Sequence, residues 1–318
     1  MLWMTPRVDV RKTLPMILHM DELRKRVREQ LKAAGIADER TETDILLAAV
    51  LRVPRGEVQM RSLLGREVSE GDAQAVTKAA SRRARREPLQ HVTGRAPFID
   101  MELAVGPGAF VPRPETESLV TAAVELLGRA GPAPAGLTGV DVGSGTGAVA
   151  LGVARLHGGI RMTAIERSSA AWPWLRSNVA SYGEGAVATF FGDAARMFAA
   201  LPSGSLDLVV SNPPYVPAAN RPESREVWHH DPEVALYSGR DGLDFIRKLA
   251  TWSALALRPE GVLVVEHEDT QGAEIREIFG SAGFRSAATA RDFTGRDRIT
   301  SAVRSASNED DSGRPAIM

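Results

Sequence analysis

The residues of this chain best suited to chemistry are Asn212-Pro213-Pro214-Tyr215, directly after the apolar run Leu206-Asp207-Leu208-Val209-Val210-Ser211. Proline has no N–H, so the backbone there offers carbonyl acceptors and few donors. Asn212 adds a side-chain carbonyl. Such a place suits a planar NH2 group whose two hydrogens both need holding. At the carboxyl end of a strand, where open α/β sheets bind ligands, the tetrad reads as a seat for an amino or amide nitrogen. A Pro-Pro turn that merely ends a strand is the plain alternative. A second motif upstream decides between them.

That motif is Asp141-Val142-Gly143-Ser144-Gly145-Thr146-Gly147-Ala148. Glycine permits the positive φ of a sharp turn and close approach of a ligand to the backbone. The N–H groups of the helix that follows then face the bound molecule. About 20 residues further on, Glu166 ends a second strand, where a carboxylate accepts from both hydroxyls of a ribose. NAD would fit the same layout, because Ala148 can replace the last glycine of the dinucleotide fingerprint. A dehydrogenase also needs a hydride-handling site, and this chain instead has the acceptor-rich tetrad after strand four. The combination fits an S-adenosylmethionine enzyme, with the nucleoside on the first half of the sheet and the nucleophile beside strand four. Asp193, just past the third strand, is placed to accept from the adenine amino group or, equally well, to cap a helix.

The elements that must position these residues follow from periodicity. From 137 onward, strands near 137–142, 160–166, 186–191, 206–211 and 261–267 alternate with helices near 147–156, 169–181, 194–200, 241–256 and 272–281. That order specifies a parallel sheet with helices on both faces. Two further strands, 284–290 and 297–304, follow Gly283. A helix should start near Pro114 or Glu115, with proline and acids in its first turn. Residues 128–136 read as a Gly/Pro/Ala loop, and 96–112 as a short hairpin. Upstream, 21–34, 41–52 and 69–86 have helical spacing (Leu23, Val27, Leu31; Ile45, Leu46, Ala49, Val50). Thr41 or Thr43 is expected to cap the second helix. The third ends in four arginines among residues 82–86, read as a solvated helix end favoured by the macrodipole rather than an RNA contact.

Composition narrows the class. The 318 residues are 43% hydrophobic and 25% charged, with net charge −1 and no cysteine. Cysteine nucleophiles, thiolate metal sites and disulfides are excluded. The near-neutral charge is unlike that of proteins living on nucleic acid. No apolar run reaches the ~20 residues of a membrane span. The chain is expected to be cytoplasmic and monomeric, without stable nucleic-acid or membrane partners. Residues 1–19 read as an extension rather than a signal peptide, with Met16 and Met20 as possible starts. The tail 305–318 is expected to be disordered. His229-His230-Asp231 lacks a third spaced ligand and reads as a solvated loop, so no metal is expected. Glu266-His267-Glu268 reads as structural support, Arg113 and Glu115 as a turn over the active site, and Trp172 and Trp174 as core or rim.

The motif at 141–151 together with the tetrad resembles the class I S-adenosylmethionine-dependent methyltransferases. Further stretches are similar to the bacterial release factor glutamine methyltransferases, the PrmC/HemK family. They are REPLQHVTG at 86–94, FVPRPETE at 110–117, DPEVAL at 231–236, GRDGLD at 239–244 and VEHEDTQ at 265–271. The resemblance covers about residues 20–304. It implies a Rossmann-like α/β methyltransferase sheet, mostly parallel with an antiparallel last strand, at 115–304. A small all-helical domain at 20–92 would dock the substrate, joined by a hairpin linker at 93–114. The implied substrate is the glutamine of the Gly-Gly-Gln motif in class I peptide-chain release factors. The family roles place Gly143, Ser144, Gly145, Thr146 and Gly147 around the methionine part of the cofactor and Glu166 on its ribose. They place Asn212, Pro213, Pro214 and Tyr215 around the glutamine side chain, with Asn212 also beside the cofactor. Many members have Asp in place of Glu166 and an aromatic residue in place of Ala194.

Overall fold

The computed structural model describes residues 18–129, 136–220, 226, 230 and 232–305. Most of the 1–19 extension, the centre of the 128–136 loop, His229, Asp231 and the tail beyond Ser305 lie outside the described residues. The chain divides into two compact units, Met1–Thr93 and Gly94–Met318.

The first unit is helical: α1 (Met20–Ala33), α2 (Glu39–Leu51), α3 (Arg55–Leu63), α4 (Glu70–Ala84) and α5 (Leu89–Thr93). Short strands β1 (Leu18–His19) and β2 (Glu67–Val68) pair antiparallel. Leu23, Val27 and Leu31 of α1 fall on one face and are buried with Leu46, Leu47, Val58 and Val76, as helical spacing requires. Two expectations need correction. The cap of α2 is Asp38, whose side chain accepts from Thr41 N at 3.3 Å. Thr41 and Thr43 lie inside the helix, where Thr43 Oγ1 donates back to Glu39 O at 2.6 Å. The arginine cluster is not simply a solvated end. Arg83 is buried and its Nε donates to Glu42 Oε2 at 2.5 Å, while Arg82 pairs with Glu87. Helix α3 has no counterpart in the sequence reading, because Val58 alone of its side chains is buried and no apolar period is written.

The second unit opens with an antiparallel hairpin, β3 (Arg95–Phe98) and β4 (Met101–Ala104). Its strands are shorter than the 96–112 stretch suggests. Helix α6 (Pro114–Arg129) follows. Then come β5 (Leu137–Val142), α7 (Ala148–His157), β6 (Ile160–Glu166), α8 (Trp172–Tyr182), β7 (Val187–Phe191), α9 (Ala194–Ala200) and β8 (Leu206–Ser211). A 3₁₀ turn, Glu233–Ala235, precedes α10 (Asp244–Ala256), β9 (Leu257–Glu266), α11 (Gly272–Ser281), β10 (Phe284–Arg291) and β11 (Asp297–Arg304).

The seven-stranded sheet has the order β10-β11-β9-β8-β5-β6-β7. Strands β5 to β9 are parallel to one another, and β11 runs antiparallel between β9 and β10. The core on one face gathers Leu119, Val120, Leu151, Val153 and Leu175 from α6, α7 and α8. The other gathers Phe198, Ile246, Leu249, Ile275 and Phe279 from α9, α10 and α11. β8 is buried along its whole length, which explains why most of its residues are apolar. β9 begins at Leu257, earlier than expected. Pro259 and Gly261 punctuate its start, and the pairing with β8 slips between Leu206 and Leu208. The strand order reverses beside β5, so the ends of β5, β6 and β8 face one crevice.

Candidate active site

At the end of β5 the chain turns through Gly143 (φ 76°), Gly145 (φ 56°) and Gly147 (φ 83°). All three need the left-handed region that glycine enters without strain. A Cβ added at Gly143 or Gly145 would meet nothing within 4 Å, so both glycines border open space. Gly147 differs. A Cβ there would stand 2.7 Å from Leu175 Cδ1, so this glycine lets α7 and α8 pack. Ser144 Oγ donates to Asp141 O at 2.9 Å, and Thr146 O accepts from Asn178 Nδ2 at 2.9 Å.

Glu166 closes the turn from the neighbouring strand. Its Oε2 accepts from Gly145 N at 2.8 Å and its Oε1 from Ser168 N at 2.6 Å. Each carboxylate oxygen still has a lone pair to offer. Asp193 caps α9, accepting from Ala195 N at 2.8 Å. The cap exists, and Asp193 also borders the cavity.

At the end of β8, Ser211 is fully buried and donates to Val142 O at 2.6 Å, which ties the tetrad's strand to the glycine turn. Asn212 Nδ2 donates to Thr116 Oγ1 of α6 at 3.2 Å. With the NH2 end so engaged, the Oδ1 end is the acceptor left for a ligand. Tyr215 O accepts from Gln271 Nε2 at 3.0 Å. A Cβ at Gly242 would lie 2.1 Å from the same carbonyl, so the 239–244 loop must have glycine there. Burial, then the nearby Glu266 carboxyl, pushes the Tyr215 hydroxyl well above its ordinary range, so it stays protonated.

Glu266 ends β9, and the register pairs Ser211 with Val265, which puts Asn212 and Glu266 next to each other at the sheet's edge. The carboxyl is buried, and burial pushes it up to about 7, opposed by hydrogen bonds with Thr116 and Asn212 and by the charge of Arg298. Neighbouring His267 is wholly buried between Glu268 O and Thr300 Oγ1, 2.8 Å from each. Burial lowers its proton affinity, which fits a structural post.

One cavity of about 1260 Å³ joins these parts. Gly143, Ser144, Gly145, Thr146, Glu166, Asp193, Asn212, Pro214 and Tyr215 all line it, whereas Gly147 and Pro213 do not. Among the described residues no group of three or more His, Asp or Glu could hold a metal ion, and no helix is long and apolar enough to cross a membrane. Thr116, Gln271 and Asn178 were not singled out by sequence reasoning. Each acts on a partner far away in the chain, although Glu266 carried one signal. It is a polar residue ending an apolar strand, as Asn212 follows another.

A family model described as the PrmC N-terminal domain matches residues 22–94, and one described as the methyltransferase small domain matches residues 119–229. The release factor glutamine methyltransferase of Streptomyces coelicolor is 42% identical over 281 residues, covering 86% of this chain and 94% of that protein. A 4-amino-L-phenylalanine/4-methylamino-L-phenylalanine methyltransferase of Streptomyces pristinaespiralis is 40% identical, covering 70% of this chain and 75% of that protein. The crystal structure of the hMettl16 catalytic domain in complex with MAT2A 3'UTR hairpin 6 superposes with a TM-score of 0.50 at 13% identity. It covers 76% of this chain and 85% of that one, and attests the fold alone. Because the Streptomyces coelicolor likeness runs through both compact units, the chain belongs to the release factor glutamine methyltransferase family.

Proposed function

We propose that this protein transfers a methyl group from S-adenosylmethionine to the side-chain amide nitrogen of the glutamine in the Gly-Gly-Gln motif of class I release factors. One observation carries the reading. At the cavity wall Asn212 has its NH2 end turned to Thr116, so its carbonyl is left beside a Pro-Pro backbone that cannot donate. An amide NH2 finds acceptors there and no competing donor from the tetrad backbone.

The cavity fits the methyl donor. Gly143 and Gly145 leave the room a Cβ would fill, and Glu166 lies at the cavity with lone pairs for a ribose diol. Asp193 is the acceptor offered to the adenine amino group. When bound, S-adenosylmethionine supplies an electrophilic methyl group on a cationic sulfur. The protein's part is orientation. Asn212 Oδ1 accepts an amide hydrogen, which aims the nitrogen lone pair and favours pyramidalisation. Pro214 fixes the turn, and Tyr215 packs against the flat amide. Orientation of this kind is worth up to ~7–11 kcal/mol when the geometry is near-attack. The helical unit, at 20–92, docks the factor. The enzyme acts in the cytoplasm as a monomer, without stable nucleic-acid or membrane partners.

The test is transfer of radiolabelled methyl to purified release factor, its glutamine-to-alanine variant, RNA, and 4-aminophenylalanine. Label on the wild-type factor alone is expected. Label on RNA or the free amine, with none on the factor, would refute the assignment.

A further inference from the structure

We propose that Glu266 is a positioning residue for methyl transfer: its carboxylate, with Thr116, holds the NH2 end of Asn212 so that the amide oxygen faces the substrate nitrogen. The inference rests on the glutamine-methylation reading and extends it to a residue outside the tetrad.

The geometry sets the argument. An asparagine amide can lie either way round, and its two ends differ only in whether they donate or accept. Reversed, Asn212 would present NH2 to NH2, and the substrate would lose an acceptor. Thr116 alone does not choose, because a hydroxyl both donates and accepts. An ionised carboxylate does choose, because it only accepts. Glu266 stands beside Asn212, because its backbone neighbour Val265 is in register with Ser211; the Asn212 and Thr116 side chains both favour its charged form, and it borders the cavity. Its Oε2 is buried without a hydrogen-bond partner among the described residues. A carboxyl so placed weakens the fold when charged, and its position behind the reacting amide is the compensating use.

The groups facing Glu266 decide when it is charged. Glu115 of α6 raises its proton affinity, and Arg298 of β11 lowers it. Tyr215 stays protonated beside it. Burial dominates, and the carboxyl titrates at about 7. Turnover therefore rises with pH through neutrality. Stability runs the other way. The folded value exceeds the unfolded one, so the stabilising contribution is present at low pH and lost as pH rises through about 7.

The experiment compares wild type, Glu266→Gln and Thr116→Val in release-factor methylation between about pH 6 and pH 8.5, with cofactor affinity by calorimetry and thermal midpoints. Glu266→Gln should lower kcat at least 20-fold at pH 8, leave KM and cofactor affinity within about threefold, and flatten the pH profile. Its thermal midpoint at pH 8 should match or exceed wild type, the opposite of what a merely structural residue would show. Thr116→Val should lower kcat about fivefold with the wild-type pH profile kept. Should Glu266→Gln fail to fold, a wild-type kcat in Thr116→Val overturns the proposal. A folded Glu266→Gln with wild-type kcat and pH profile overturns it too, while the substrate assignment stands. A wild-type enzyme that leaves the factor unlabelled overturns both.

Discussion

Asp141 is an acid inside the glycine turn, 1% exposed, with Oδ2 accepting from Ala150 N at 3.1 Å. Burial pushes it up to about 7, against the nearby Ser144 hydroxyl and the hydrogen bond from Ala150, and Glu166 adds a repulsive charge. Two acids so close at one cavity are the kind of arrangement found where ligands bind. The linkage has a definite sign. The unfolded chain releases this proton near 3.8 and the folded one near 7, so stability is greatest below the first value and falls as pH rises through the second. In between, the native state holds one extra proton, a slope of about 1.4 kcal/mol per pH unit. Asp141→Asn, whose carbonyl can still accept from Ala150, should remove about 2–3 kcal/mol of the loss between about pH 5 and pH 8. Urea unfolding of the cofactor-free protein measures it. Equal losses in both proteins would show that the turn's own amides neutralise the charge.

Among the elements, α8 joins the hairpin to the glycine turn through one side chain. Asn178 is 1% exposed. Its Oδ1 accepts from Ala104 N at 2.7 Å, and its Nδ2 donates to Ala104 O and Thr146 O, each at 2.9 Å. Asn178→Ala would strand three polar groups, and each buried orphan costs about 1–3 kcal/mol. We expect a loss of about 3 kcal/mol in urea unfolding and cofactor affinity weakened about tenfold by calorimetry. A loss confined to stability would separate the hairpin from the cofactor site. Nothing in the sequence announces this clasp, because its partners are 74 and 32 positions away. The sheet was far more legible. Buried parallel strands are rich in apolar residues, so β5, β6 and β8 could be read to the residue. The glycine turn and the tetrad were visible because their chemistry is local. The roles of Glu266, Thr116 and Gln271 were hidden, because they depend on the register of β8 against β9 and on where α6 and the loop after β9 return. Helix α3 was missed because Val58 alone of its side chains is buried, and the Asp38 cap because Thr41 and Thr43 stand nearby as further capping residues.

At the scale of the whole molecule, each compact unit has its own core. Leu31, Leu46, Leu47 and Val76 close a core within the helical unit, and the sheet has its own on both faces. Every cavity-lining residue lies in the second unit. Cofactor recognition therefore needs residues from 94 onward only, while recognition of a folded protein substrate has a further unit available. A chain of residues 94–318 should bind S-adenosylmethionine within about threefold of the full protein, since none of the lining side chains is removed. Its kcat/KM toward release factor should fall at least 100-fold, through KM rather than kcat, which corresponds to about 2.7 kcal/mol of lost binding. A short peptide containing Gly-Gly-Gln offers the amide without the folded factor, so its turnover should be the same for the two chains. Calorimetry of the fragment comes first, because it shows whether the sheet unit is intact. With that established, an unchanged KM for the whole factor would mean that the helices serve stability and not docking.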